Sequence, residues 1–219
     1  MSNGGGRSGL SSSSGDREHF GHATTDDHVQ TWEMSHDEKV AWMESLGFTK
    51  ETAEELVEAV DEYTGGDYWS IHNGQNAEYV KKIDTFLNNK NAPVFTGTLF
   101  RGMVIEGKNG RSGEEILHDI LKTGRWSEPG ITSFSSDRIA AESFMRDFSK
   151  NKANNIPVIL RNTRNRSGVP IAHLSKIERE YEVITPSSIS RRGFKITGFK
   201  PIKNWWDGSK GYIIDIQEN

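Results

Sequence analysis

Three short stretches combine residue types that work together in group transfer: Leu99-Phe100-Arg101-Gly102, Gly130-Ile131-Thr132-Ser133-Phe134-Ser135-Ser136, and Glu180-Tyr181-Glu182-Val183-Ile184. An extended strand alternates its side chains with a period of two. A strand through Glu180 and Glu182 therefore presents both carboxylates on one face, close enough to act on one reacting centre. The planar fork of an arginine grips phosphate oxygens, while one carboxylate stabilises a sugar carbon that turns cationic and the other serves its nucleophile. Together the three stretches suit a substrate that carries phosphate and breaks a glycosidic bond. Each alone has a plainer reading, Arg101 as an edge-strand charge and the two glutamates as one solvated strand face.

Two further groupings carry less. Gly102 to Asn109 matches G-x-x-x-x-G-K, but Asn109 stands where Mg²⁺ coordination needs Ser or Thr. Met103-Val104-Ile105 also reads as strand interior, whereas a loop that cradles phosphate needs small residues opening a helix, so a strand ending in a Gly-Lys-Asn-Gly turn is expected. His19, His22 and His28, with Asp26 and Asp27, are metal-binding types at loose spacing beside a Gly/Ser tail. With no scaffold to fix a coordination geometry they read as solvated, and no metal is expected.

The elements that must position the three stretches follow from periodicity. Val40, Trp42, Met43 and Leu46, then Ala53, Leu56, Val57 and Val60, fall at helical spacing on either side of Gly47, with Ser35 and Thr49 placed as N-caps and Glu38 and Glu51 as first-turn acids. Tyr63-Thr64-Gly65-Gly66 breaks the second helix, and 77–87 resumes the pattern. After Pro93 the texture turns to strands at 98–105, 157–161, 181–185, 194–199 and 212–216, with short helices at 114–122 and 137–148. Helices grouped in front of strands with long, irregular connections predict an α+β fold.

Composition bounds the rest. A chain of 219 residues with 33% apolar and 26% charged side chains suits a single domain from 16 to 219, helical over about 32–92 and β-rich over 93–219. Residues 1–15 hold five Gly and six Ser, with only Leu10 to bury, and predict a disordered tail. The absence of cysteine excludes disulfides, thiolate metal sites and a cysteine nucleophile. No apolar run approaches the roughly 20 residues needed to cross a bilayer, and no signal peptide is visible, so a soluble protein of the cytoplasm is expected. The net charge of −4 argues against wholesale coating of nucleic acid, although 16–62 carries fourteen acids against three bases and 187–210 six bases against one acid. In that last segment Phe194, Phe199, Trp205 and Trp206 interleave with the bases, a pattern that serves an acidic protein face, a nucleic acid or plain hairpin surface.

In this order, the arginine, the serine segment and the Glu-x-Glu strand resemble the signature of the arginine-specific mono-ADP-ribosyltransferases, a class that includes iota-type clostridial toxins and T-even phage enzymes. The resemblance extends to Tyr63-Thr64-Gly65 before Tyr68 and Ile71, and spans roughly Trp32 to the C-terminus. One departure is Phe134, in the middle of a motif that is usually Ser-Thr-Ser. Glu178-Arg179-Glu180 is a second Glu-x-Glu, and Glu180/Glu182 is preferred because Val183-Ile184 follows directly. The resemblance implies two packed β-sheets flanked by helices, with NAD bound between the sheets as substrate. It implies that Arg101 holds the NAD phosphates and the Gly102 backbone the nicotinamide amide, that Ser133 is a catalytic serine bonding near the glutamate Glu182 and the nicotinamide ribose, and that Ser135 and Tyr63 hold further parts of the ligand. Glu182 then contacts the nicotinamide ribose, and Glu180 engages an arginine of a target protein, chosen with help from the loop Ala172–Arg179. Such an enzyme acts where it is made or in the cytoplasm of a host. NAD hydrolysis, transfer to nucleic acid, and a catalytically inactive binding module are the competing functions.

Overall fold

The computed structural model describes residues 34–149, 154–176, 180–204 and 207–219. The Gly/Ser tail, the His19, His22 and His28 group, Glu178 with Arg179, and Trp205 with Trp206 lie outside the described residues. The elements run α1 (His36–Ser45), α2 (Lys50–Tyr63), α3 (Tyr68–His72), α4 (Ala77–Leu87), β1 (Leu99–Ile105), α5 (Gly113–Thr123), β2 (Arg125–Trp126), β3 (Thr132–Ser135), α6 (Arg138–Ser149), β4 (Ile156–Arg164), β5 (Val169–Pro170), β6 (Glu182–Thr185), α7 (Ser187–Arg192), β7 (Phe194–Lys203) and β8 (Lys210–Gln217). This is the predicted α+β class, with four helices ahead of the first strand.

Local chemistry sets the helix starts. Ser35 and Glu38 close a reciprocal capping box on α1, and the Thr49 hydroxyl accepts the Thr52 amide at the start of α2, so both expected caps are present. The buried faces of α1, α2 and α4 pack with Ile71, Ile131, Ile171, Leu174 and Ile184 into one core.

The expected pair of sheets takes a modified form. Hydrogen bonds join all eight strands in one order, β2-β7-β8-β4-β1-β3-β6-β5. The joint between β1 and β3 is a single registered pair, Phe100 with Ser135, whereas β1 and β4 register over seven pairs. A sheet joined so narrowly can fold on itself. Phe134 and Val183 from the three-strand side pack in one cluster with Leu160, Ile214 and Phe194 from the five-strand side. The two halves thus enclose a core as two sheets would, while remaining one hydrogen-bonded unit.

Candidate active site

The joint between β1 and β3 brings the three sequence stretches together. Arg101, Gly102, Ser133, Ser135, Glu180, Glu182 and Tyr63 all line one cavity of about 780 Å³, within the range that holds a cofactor-sized ligand. On β3, Ser135 pairs with Glu182 and Ser133 with Ile184, so both serines share the face that carries Glu182. Phe134 points the other way and meets Phe194 edge-on at 5.7 Å, only 2% exposed. The departure from Ser-Thr-Ser is therefore a core residue that leaves both serines in place.

Glu182 opens β6 and is buried. Burial pushes its carboxyl pKa up, opposed by hydrogen bonds from the Ser133 and Ser175 hydroxyls and by the charge of Arg101. Glu180 reaches the same cavity by a different backbone route from the one expected. It is not part of the strand, which begins at Glu182, and Tyr181 between them has φ +47°, in the left-handed region. Period-two alternation therefore does not apply, and the two carboxylates converge through a turn. The Ser135 hydroxyl donates to the Glu180 carbonyl at 2.6 Å and the Ser136 amide to the Tyr181 carbonyl at 3.0 Å, which anchors that turn to β3. Ser135 thus holds backbone as well as lining the cavity. Burial, and then the neighbouring Glu182, push the Glu180 carboxyl up to about 7.

Arg101 lies on β1 between Phe100 and Gly102 and pairs with Leu160 of β4. Its Nη1 donates to the Tyr68 hydroxyl at 3.1 Å and to the Ser133 carbonyl at 2.9 Å, while Nε is buried without a partner. Burial opposes the guanidinium charge, yet Tyr68 and the Glu128 carboxylate more than offset it, and Arg101 stays cationic. Gly102 is constrained on its other side. A Cβ there would stand 1.7 Å from the Ala141 carbonyl, so the missing side chain admits α6 against the strand, a packing requirement for glycine at a position whose residue also lines the cavity.

Tyr63 is fully buried at the end of α2, with its hydroxyl unpartnered. Its ring packs on Tyr68 at 5.3 Å, and Tyr68 lies parallel to His72 at 5.5 Å. Behind them His72 Nδ1 donates to the Ile131 carbonyl at 2.8 Å, and Nε2 faces Glu128 at 3.4 Å. Burial would raise the Glu128 carboxyl, but His72, Arg101 and the Trp126 indole N–H hold it below the ordinary range. As cavity-lining or supporting residues, His72, Glu128 and Ser175 were not legible in the sequence. The helical spacing of Tyr68 and His72 is the one available signal, and nothing local marks Glu128 or Ser175.

The weaker candidates resolve plainly. Lys108 and Arg111 bridge in a turn after β1, with Asn109 and Gly110 at positive φ, so the G-x-x-x-x-G-K match is strand and turn. In the basic C-terminal segment Phe194 belongs to the core, Phe199 is exposed, and Lys210 pairs with Glu114. Among the described residues no helix is long and apolar enough to cross a membrane, and no three His, Asp or Glu side chains converge as metal ligands.

This architecture, with its cavity at the sheet joint, is the ADP-ribosyltransferase fold. No protein-family model matches the chain, and no curated protein does. Among solved structures it is similar to the ADP-ribosyltransferase Vis, at 19% identity over 90% of each chain with a TM-score of 0.56; Vis is a toxin from Vibrio splendidus and has also been solved with agmatine. It is similar too to an ADP-ribosyltransferase toxin from Paenibacillus larvae, at 17% identity over 89% of this chain and 96% of that one with a TM-score of 0.54. An ADP-ribosyltransferase from Clostridium botulinum aligns at 18% identity over 83% of this chain and 94% of that one, with a TM-score of 0.53.

Proposed function

We propose that the protein is an NAD-dependent mono-ADP-ribosyltransferase that moves ADP-ribose from NAD to an arginine of a target protein and releases nicotinamide. The observation that carries this reading is the convergence of Glu182, Glu180 and Arg101 on one cavity within this fold. The guanidinium of Arg101, which lines the cavity and is oriented by its Nη1 bonds to Tyr68 and the Ser133 carbonyl, suits the diphosphate of NAD. Glu182, held by Ser133 and Ser175, faces the ribose carbon that turns cationic as its bond to nicotinamide breaks. The electron pair leaves with nicotinamide, a neutral leaving group from a cationic ring, so no metal is needed.

A guanidinium nitrogen of the acceptor then bonds to that carbon, and its proton passes to Glu180. A carboxylate whose pKa lies at about 7 is matched to taking a proton near neutral pH. The presence of agmatine, itself a guanidinium compound, in a structure of Vis supports the choice of arginine. The acceptor could also be part of a nucleic-acid-associated protein, and the protein would work in the cytoplasm of its own cell or of a host. Incubation with a tagged NAD and lysate, followed by mass spectrometry of the products, tests the proposal. Tag on protein arginine is expected. Tag on nucleic acid, nicotinamide release without labelled macromolecule, or no turnover would each replace it with one of the competing functions.

A further inference from the structure

The two oxygens that hold Arg101 Nη1 belong to different elements. The Tyr68 hydroxyl, at 3.1 Å, comes from α3, and the Ser133 carbonyl, at 2.9 Å, from β3. The spacing of α3 from β3 therefore decides whether one guanidinium nitrogen can meet both. With five residues α3 is too short to be fixed by its own hydrogen bonds, so its place depends on what it is tied to. His72 closes α3 one turn beyond Tyr68 and is buried. Its ring lies parallel to the Tyr68 ring, within 2°, with 5.5 Å between centroids. Its Nδ1 donates to the Ile131 carbonyl at 2.8 Å, two residues before Ser133, so His72 touches both elements that hold Arg101. The backbone fits the same contact: a Cβ at Gly130 would stand 2.3 Å from the His72 carbonyl, and the end of α3 thus lies directly on the segment entering β3. On the other side of the ring Nε2 faces Glu128 at 3.4 Å, and that carboxylate accepts the Trp126 indole N–H at 2.7 Å.

We propose that His72 is a positioning residue for Arg101, whose Nδ1 bond to Ile131 docks α3 on the start of β3 and so brings the Tyr68 hydroxyl and the Ser133 carbonyl to one guanidinium nitrogen. The proposal rests on the reading of Arg101 as the group that holds the NAD diphosphate. A guanidinium oriented before the ligand arrives loses less rotamer freedom on binding, so undocking α3 weakens the grip on a diphosphate without removing any group that touches it. Two amide substitutions separate the two ring nitrogens. His72→Asn places an amide nitrogen about where Nδ1 stands and can still donate to the Ile131 carbonyl. His72→Gln reaches toward Glu128 in the manner of Nε2 and leaves that carbonyl without its donor. The ring stack on Tyr68 is lost in both, so their difference isolates the bond to Ile131.

The test applies two measurements to the wild type and both variants, with thermal melts to confirm folding; His72→Phe, which also lacks the Nδ1 donor, replaces His72→Gln if that variant does not fold and is read the same way. The first is calorimetric titration with NAD and with ADP-ribose, which keeps the diphosphate and lacks nicotinamide. His72→Gln should bind both about fivefold more weakly than His72→Asn. In an Arg101→Lys background the two should bind alike, because a residue that acts through Arg101 then has nothing left to position. The second measurement is nitrogen NMR of the Arg101 side chain and needs no ligand. The Nη1 hydrogens should be resolved in the wild type and His72→Asn, and averaged by rotation in His72→Gln. That spectral difference supports the proposal even if the wild type binds neither NAD nor ADP-ribose, in which case the functional reading alone is lost. Indistinguishable Arg101 spectra for the two variants overturn it, as do equal affinities in a protein that binds NAD. An affinity gap that persists undiminished in the Arg101→Lys background also overturns it, since His72 would then act on the fold and not through Arg101.

Discussion

Replacing Glu180 with glutamine should stabilise the protein, and only above acid pH. Burial and the nearby Glu182 raise the Glu180 carboxyl from an ordinary 4.5 to about 7 in the folded chain. Between those values the folded state binds more protons than the unfolded one, so stability falls as pH rises through the window. At about 1.36 kcal/mol per pH unit the displacement corresponds to a ceiling of about 3.4 kcal/mol once the carboxylate is ionised. Glu180 is only partly buried, and solvent screening reduces this to about 1–2 kcal/mol. For a chain of this size that is an increase in Tm of about 2–8 °C for Glu180→Gln at pH 8. At pH 4 the glutamate is protonated in both states, and the two proteins should melt together. Thermal melts of both proteins from pH 4 to pH 8 read the difference directly. A gap of equal size at pH 4 and pH 8, or a less stable mutant at pH 8, would refute the claim that Glu180 is held unfavourably charged beside Glu182.

Three further outcomes are expected. Arg101→Lys keeps the charge but loses the planar fork and the Nη1 bonds to Tyr68 and the Ser133 carbonyl, so calorimetric titration should show NAD affinity falling at least about tenfold in a folded protein; undiminished affinity would remove Arg101 from the phosphate site. Ser133→Ala should depress nicotinamide release and protein labelling together, because its hydroxyl serves Glu182, whereas Ser135→Ala loosens the turn carrying Glu180 and should reduce labelling more than release; identical profiles for the two mutants would contradict this division. Gly102→Ala would drive a methyl into the Ala141 carbonyl and force α6 off β1, at a cost of about 3 kcal/mol or more and a Tm loss of roughly 6–12 °C, and a melt within about 2 °C of wild type would show that α6 does not press on the strand.

How much of this was legible in the sequence depended on how local each feature is. The caps at Ser35 and Thr49 and the strands through Arg101 and Val183 rest on neighbours a few residues away, and the structure has them where the pattern put them. The link between Ser133 and Glu182 was reached by resemblance, and the pairing of β3 with β6 supplies its physical reason. The alignment of Glu180 with Glu182 was predicted from strand alternation, but the left-handed Tyr181 produces it instead, and a tyrosine gives no warning of positive φ. His72 at the end of α3, Glu128 between β2 and β3, and Ser175 between β5 and β6 come from separate parts of the chain that only the folded topology assembles. The single Phe100–Ser135 joint, which makes one sheet behave as two packed halves, is likewise a property of tertiary closure and has no local signature.

The central claim is that Glu182 acts on NAD while Glu180 acts on the acceptor. It is tested most directly by measuring nicotinamide release and protein-arginine labelling side by side for Glu182→Gln and Glu180→Gln, with thermal melts to confirm folding. Glu182→Gln removes the charge facing the developing cation and should abolish both reactions. Glu180→Gln should abolish labelling and retain release, since water still captures the ribose cation while a protonated guanidinium goes without its proton acceptor. Loss of both reactions in Glu180→Gln, with release preserved in Glu182→Gln, would contradict the account and shift the catalytic pair to Glu178 and Glu180.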